Sequence, residues 1–255
     1  MKKLITNNET GTMTAIEHLK ELRNRIMICV VVFLLVFVIA LRYAKQILET
    51  LFTLAGQMTV SFAYLYPQEV FIQYLNIAVY TALIVTVPIV ILEICLFALP
   101  GLMKRERPFF GFCMGMSVVL FYVGMLFSIF IMIPFVMQYF DSLNNGLLGV
   151  TGMVSIEKYV SLVKTFLLAF GIVFEIPVAS SLLTMARILT SARMKKARSA
   201  FIVLAFVIGA IITPPDVISQ CMVAIPMIFL FECSIFLAQR IEKKRNRRSM
   251  KEVTT

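Results

Sequence analysis

The residues of this chain best placed to do chemistry are carboxylates standing in or beside long apolar runs. Glu175 lies near the middle of a run from about Tyr159 to Met185, within Phe174-Glu175-Ile176-Pro177. An ionised carboxylate at the centre of a bilayer costs about 2.5 to 3.5 kcal/mol on insertion scales, so Glu175 must face protein or water. Pro177 has no backbone donor and frees the carbonyl of Val173, which then needs another partner. A protonated Glu175 could hydrogen-bond to a neighbouring helix, or the group could serve a proton path. Glu93 and Glu232 lie about six residues, roughly 9 Å of helix rise, from one end of their own runs. Both snorkelling and water access are open to them.

A second pair of acids sits among basic residues. Glu21 belongs to His18-Leu19-Lys20-Glu21-Leu22-Arg23-Asn24-Arg25, and Glu106 to Lys104-Arg105-Glu106-Arg107. A solvated flank that keeps basic residues on the cytoplasmic side accounts for the bases but not for the acids. Carboxylates on a basic surface can receive a cationic ligand, and a guanidinium matches them in bidentate geometry. Catalytic patterns are missing: there is no Gly-rich phosphate loop, no His-Glu-x-x-His and no Gly-x-Ser-x-Gly. His18 is the only histidine and reads as a solvated interface residue. The five cysteines (Cys29, Cys95, Cys113, Cys221, Cys233) fall in apolar runs without a Cys-x-x-Cys, which argues against disulfides and zinc. Neither an enzyme nor a cofactor or metal is expected.

The elements that must position these groups are membrane helices. Of 255 residues, 60% are hydrophobic and 15% charged, where soluble domains carry about 25% charge. Mean hydropathy is +0.91. Lys and Arg alternate between loops: 20 of the 24 fall in the first tail, the second and fourth loops and the last tail, leaving Arg42, Lys45, Lys158 and Lys164 opposite. Basic residues near span ends stay in the cytoplasm, so residues 1–24, 100–108, 187–198 and 240–255 are expected there, with both termini inside. The formal charge of +10 therefore points to membrane lipids and not to nucleic acid.

Six spans are expected, in an all-α chain. The first runs from about Ile26 to Leu41, retained rather than cleaved, and an outer loop to Pro67 should hold an interfacial helix over 43–53. The second covers about Val70 to Leu99 with Pro88 as a kink, the third about Phe109 to Tyr139, and the fourth Tyr159 to Met185. Only 14 residues separate Arg198 from Thr213, so the fifth span is short. Thr213-Pro214-Pro215-Asp216 turns the chain into the sixth, Val217 to Leu237. The organisation is a cytoplasmic segment 1–25, a membrane domain 26–239 and a basic tail 240–255, with no internal repeat.

These residues together resemble a known family. His18-Leu19-x-Glu21-Leu22-Arg23 is similar to the opening motif of the TatC family, the signal-peptide receptor of the twin-arginine (Sec-independent) protein translocase. In order follow Pro67-x-Glu69-x-Phe71-x-x-Tyr74, then Phe97, Pro100, Gly101, Leu102 and Glu106, then Phe170-Gly171 with Phe174-Glu175-x-Pro177. Thr213-Pro214-Pro215-Asp216 with Ser219-Gln220, and Ile225-Pro226 with Glu232, complete the set. Asn76, Glu93 and Arg187 depart from the family, which commonly has Lys, Gln and Gly there.

The resemblance implies a glove-shaped bundle with short fifth and sixth spans in the inner membrane of a bacterium. It implies binding of twin-arginine signal peptides on folded precursors, with Glu21 and Glu106 receiving the arginines and Arg23 organising the site. Small single-span partners of the TatA and TatB type would complete a homo- or hetero-oligomeric complex driven by the proton-motive force. Glu175, with Glu232 and Gln220, would make polar contacts to partner helices within the membrane. The rival is a proton-coupled carrier of small solutes using Glu175, and a scaffold comes third. No pair of Gly/Pro-broken helices recurs in two halves, which disfavours the carrier.

Overall fold

A computed structural model describes residues 15–55, 61–64, 66–98, 107–144, 153–213 and 216–253. Glu106, the turn residues Pro100, Gly101 and Leu102, and the Pro214-Pro215 pair lie outside the described residues. Nearly everything described is helix, as apolar segments in lipid require, since a helix satisfies its own backbone groups.

Helix α1 runs unbroken from Ala15 to Ala55, 41 residues and about 61 Å. The stretch 43–53, expected as an interfacial helix in the outer loop, is therefore its last turns. No Gly or Pro interrupts α1, and the apolar stripe Ala40, Ala44, Leu48 continues across the expected boundary and is buried. It packs on α2 (Glu69–Ala98), where Ile77, Ala78 and Ala82 are equally buried, so small residues let the two helices lie close. Pro88 is buried inside α2 and the helix continues through it.

The third crossing is α3 (Arg107–Phe127), a π-helical turn over Ser128–Met132, and α4 (Ile133–Asn144). The fourth is α5 (Ile156–Val173) and α6 (Ile176–Met185), which break at Phe174-Glu175 with Pro177 in the first turn of α6. Proline is tolerated there because that turn has no intrahelical use for its donor. The third and fourth crossings touch closely. A Cβ on Gly124 would stand 2.5 Å from the carbonyl oxygen of Phe170, and one on Gly171 would stand 2.7 Å from the Phe121 ring.

A six-residue helix α7 (Ser191–Lys196) leads into α8 (Arg198–Ile212), which is short as expected: 15 residues, or about 22 Å. In contrast, α9 (Val217–Val253) does not stop where its apolar stretch ends at Leu237 but continues to 37 residues. Its extension joins the body of the fold. Glu242 accepts from the backbone N–H and hydroxyl of Ser191, and Arg245 donates to the Thr184 carbonyl at 3.2 Å. Among the described residues, five helical stretches are long and apolar enough to cross a membrane, and α8 is a shorter apolar helix beside them.

The main core gathers Val136, Phe166, Phe170, Val223 and Met227 from α4, α5 and α9, with Ala205 of α8. At the end opposite α7, two three-residue strands pair in parallel, β1 (Ser61–Ala63) with β2 (Met153–Ser155), Phe62 lying against Val154. Phe62 packs on Phe52 and Tyr159, with centroids 4.6 and 5.1 Å away, and the Tyr159 hydroxyl donates to the Leu51 carbonyl.

Candidate ligand-binding site

Helix α1 places Glu21 and Arg25 one turn apart on one face, where i,i+4 partners meet. Antiparallel packing of α2 brings Glu93 to the same level. Arg25 bridges the two acids: its Nε and Nη2 donate to Glu21 Oε1 at 3.1 and 2.6 Å, and its Nη1 donates to Glu93 Oε2 at 2.6 Å. All three side chains are about one-fifth exposed. Two carboxylates share one guanidinium, so one negative charge is left uncompensated within the cluster. Glu21 Oε2 is buried and has no hydrogen-bond partner among the described residues.

The cluster opens on a groove of about 500 Å³ between α1 and α2, with walls from Ile26, Val30, Phe33, Val90 and Phe97. A polar mouth on an apolar groove can hold a cation and the apolar chain attached to it. Arg23 is exposed and, among the described residues, donates to its neighbour Asn24 at 3.4 Å.

The intramembrane polar residues do not join this cluster; each has a local partner. Glu175 is 8% exposed at the α5–α6 break, where Ser117 of α3 donates to its Oε2 at 2.7 Å. Its Oε1 is buried without a partner among the described residues. Phe174 beside it packs against Phe127 with the rings tilted, centroids 5.5 Å apart. Glu232 of α9 takes a hydrogen bond from Arg198 at 2.6 Å, both side chains being nearly half exposed. Gln220 donates to the Phe206 carbonyl at 2.7 Å and ties α9 to α8 beside Gly209. Asp216 caps α9, accepting from the Ser219 backbone N–H at 2.8 Å. Pro67 is exposed in the turn before α2, and Phe71 points outward, 63% exposed.

Two features went unread in the sequence. Glu69, only 5% exposed, accepts from the Glu157 backbone N–H at 3.0 Å and the Ser155 hydroxyl at 3.2 Å, so the start of α2 caps the start of α5. Its motif position was visible, but its partner is 88 residues away. Near Asn76, where a lysine was expected, α5 supplies one: Lys164 lines the same small cavity and sits 4.6 Å over the Tyr80 ring. At the third departure, Arg187 has φ 61°, the left-handed conformation that suits glycine. Hydrogen bonds from Ile188 to Leu183 and from Arg187 to Thr184 close α6 as a Schellman motif there.

The family model described as "Sec-independent protein translocase protein (TatC)" matches residues 17–226. The chain is 36% identical over 236 residues to the Sec-independent protein translocase protein TatC of Aquifex aeolicus, covering 91% of this chain and 98% of that one. It is 32% identical over 235 residues to the TatC of Rickettsia prowazekii, covering 90% and 94%. A crystal structure of the twin arginine translocase receptor TatC superposes with a TM-score of 0.80 at 34% identity, covering 88% of this chain and 99% of that one. With the expected motifs in order, matching over nearly its whole length, and the same arrangement of helices, this chain belongs to the TatC family of Sec-independent protein translocase proteins.

Proposed function

We propose that this chain is the receptor subunit of a twin-arginine translocase in a bacterial inner membrane, with both termini and the Glu21 end of α1 in the cytoplasm. Glu21 and Glu106 receive the paired arginines of a signal peptide on a folded precursor, and Arg23 helps to organise the approach. Single-span partners of the TatA and TatB type assemble with it, and the proton-motive force drives export. Glu175 offers its Oε1, which has no partner among the described residues, to a polar group of a partner helix or to water. Gln220 and Glu232 support that surface from within, through Phe206 and Arg198.

The observation that carries this reading is the carboxylate cluster at the mouth of the α1–α2 groove. It is half-buried, one charge short of neutrality, and holds a carboxylate oxygen with no partner among the described residues. A guanidinium satisfies such a site better than an ammonium, because its planar fork reaches two acceptors. Membership of the TatC family supports the nature of the ligand. The Glu21→Ala, Glu106→Ala double variant should insert and keep its partners but fail to bind a twin-arginine precursor in membranes at physiological salt. Normal binding by that variant would remove the site from consideration.

A further inference from the structure

Glu21 is not empty in the free chain. Arg25, one helical turn away, already places two of its donors on Glu21 Oε1 and a third on Glu93. An occupant tethered this closely has an effective concentration of at least about the millimolar range. Oε2 has no partner among the described residues, but a ligand arginine that takes both oxygens of Glu21 in its fork must displace Arg25 from Oε1, exchanging one charge-assisted pair for another of the same kind.

Glu93 decides what that exchange leaves behind. Arg25 holds the two acids through different nitrogens, so it can release Glu21 and keep its Nη1 contact with Glu93. The site then contains two guanidinium groups facing two carboxylates, and its residual charge is gone. Without Glu93, an Arg25 stripped from Glu21 would be left against the apolar walls of the groove with no acid partner in the cluster. A cation so stranded resists displacement.

We propose that Arg25 is an internal occupant of the Glu21 site and that Glu93 is the positioning residue that holds Arg25 aside when a ligand arginine enters. The inference rests on the reading of Glu21 as a ligand-binding carboxylate. It also gives a physical reason for paired arginines. Displacing Arg25 offsets part of what the first arginine gains, and a second arginine adds contacts that displace no internal occupant.

The test uses the full chain in lipid nanodiscs and a fluorescent synthetic peptide carrying paired arginines. Arg25→Gln should raise affinity about tenfold, the equivalent of one charge-assisted hydrogen bond of about 1.4 kcal/mol. Glu93→Gln should lower it by a similar factor. The Arg25→Gln, Glu93→Gln double variant should bind like Arg25→Gln alone, because nothing remains to be held aside. Arg25→Lys keeps the charge and loses the fork, and should give a smaller rise. A fall in affinity for inserted, monodisperse Arg25→Gln, no rise for Arg25→Lys, or a Glu93 penalty that persists in the double variant would overturn the proposal. Glu21→Ala separates the two levels. If it binds normally, the receptor site itself is wrong; if it fails to bind while Arg25→Gln shows no gain, only the exchange is wrong.

Discussion

Ser117→Ala tests the polar contact that holds the α5–α6 break against α3. Ser117 is 1% exposed and Glu175 8%, and the Oγ–Oε2 distance is 2.7 Å. Because Glu175 Oε1 already lacks a partner among the described residues, removing the hydroxyl leaves the carboxyl group with none there. An unsatisfied buried group of this kind costs about 1–3 kcal/mol, and the upper half of that range applies here. Glu175→Gln keeps an oxygen to accept from Ser117 and should cost less than about 1 kcal/mol. Replacing both partners, as Ser117→Ala with Glu175→Leu, removes the polar requirement together with its satisfaction. The double variant should therefore be more stable than the sum of the single losses by about 1–3 kcal/mol. Denaturant titration of the purified chain in mild detergent measures all four corners of the cycle. A Ser117→Ala stability equal to that of the parent, or strictly additive losses, would refute the reasoning. Transport follows the same logic: Gln should largely retain it and Leu should lose it, and equal loss in both would point to an obligatory charge at Glu175.

Three further outcomes are expected. Glu69→Ala should destabilise the chain by about 1–2 kcal/mol in the same titration, since it uncaps α5 and frees the Ser155 hydroxyl; an unchanged midpoint would contradict the capping role. Arg187→Gly should stabilise by about 0.5–1 kcal/mol, because φ 61° strains any residue with a Cβ, and a loss of stability would contradict this. A photo-crosslinker at Val203 or Ile211, 63% and 79% exposed on α8, should capture a single-span partner, whereas capture only against α1 would contradict docking on the short helix.

Where sequence reading succeeded, the signal was local. Proline and charge marked the limits of α2 within a residue, and the spacing of Arg198 and Thr213 measured α8; Pro177 was read as freeing the Val173 carbonyl within one span, where the structure breaks the helix into α5 and α6. Where it failed, the missing information was tertiary. The helical spacing over 43–53 is equally that of an interfacial helix and of a packing stripe, because periodicity fixes which face is apolar and not what covers it. Ala44 and Leu48 are covered by protein, so the helix runs on. Strands β1 and β2 are three residues each, too short to show alternation. Glu93 was noticed as a departure from the family, but its partner Arg25 stands 68 residues away. The readable clue was that both lie near the same ends of antiparallel spans. With that pairing seen, Arg25 would have been recognised as an occupant of the site instead of a flank for lipid phosphates.

The central claim, that the mouth of the α1–α2 groove receives the arginines of a signal peptide, is tested most directly by where those arginines crosslink. A photo-reactive residue placed beside the paired arginines of a precursor, irradiated in membranes with the full chain, should form adducts on Leu22 and Ile26 of α1 and Ile94 of α2. These side chains are 36%, 54% and 62% exposed and line the groove around Arg25 and Glu93. Adducts confined to α8 and α9 would contradict the account.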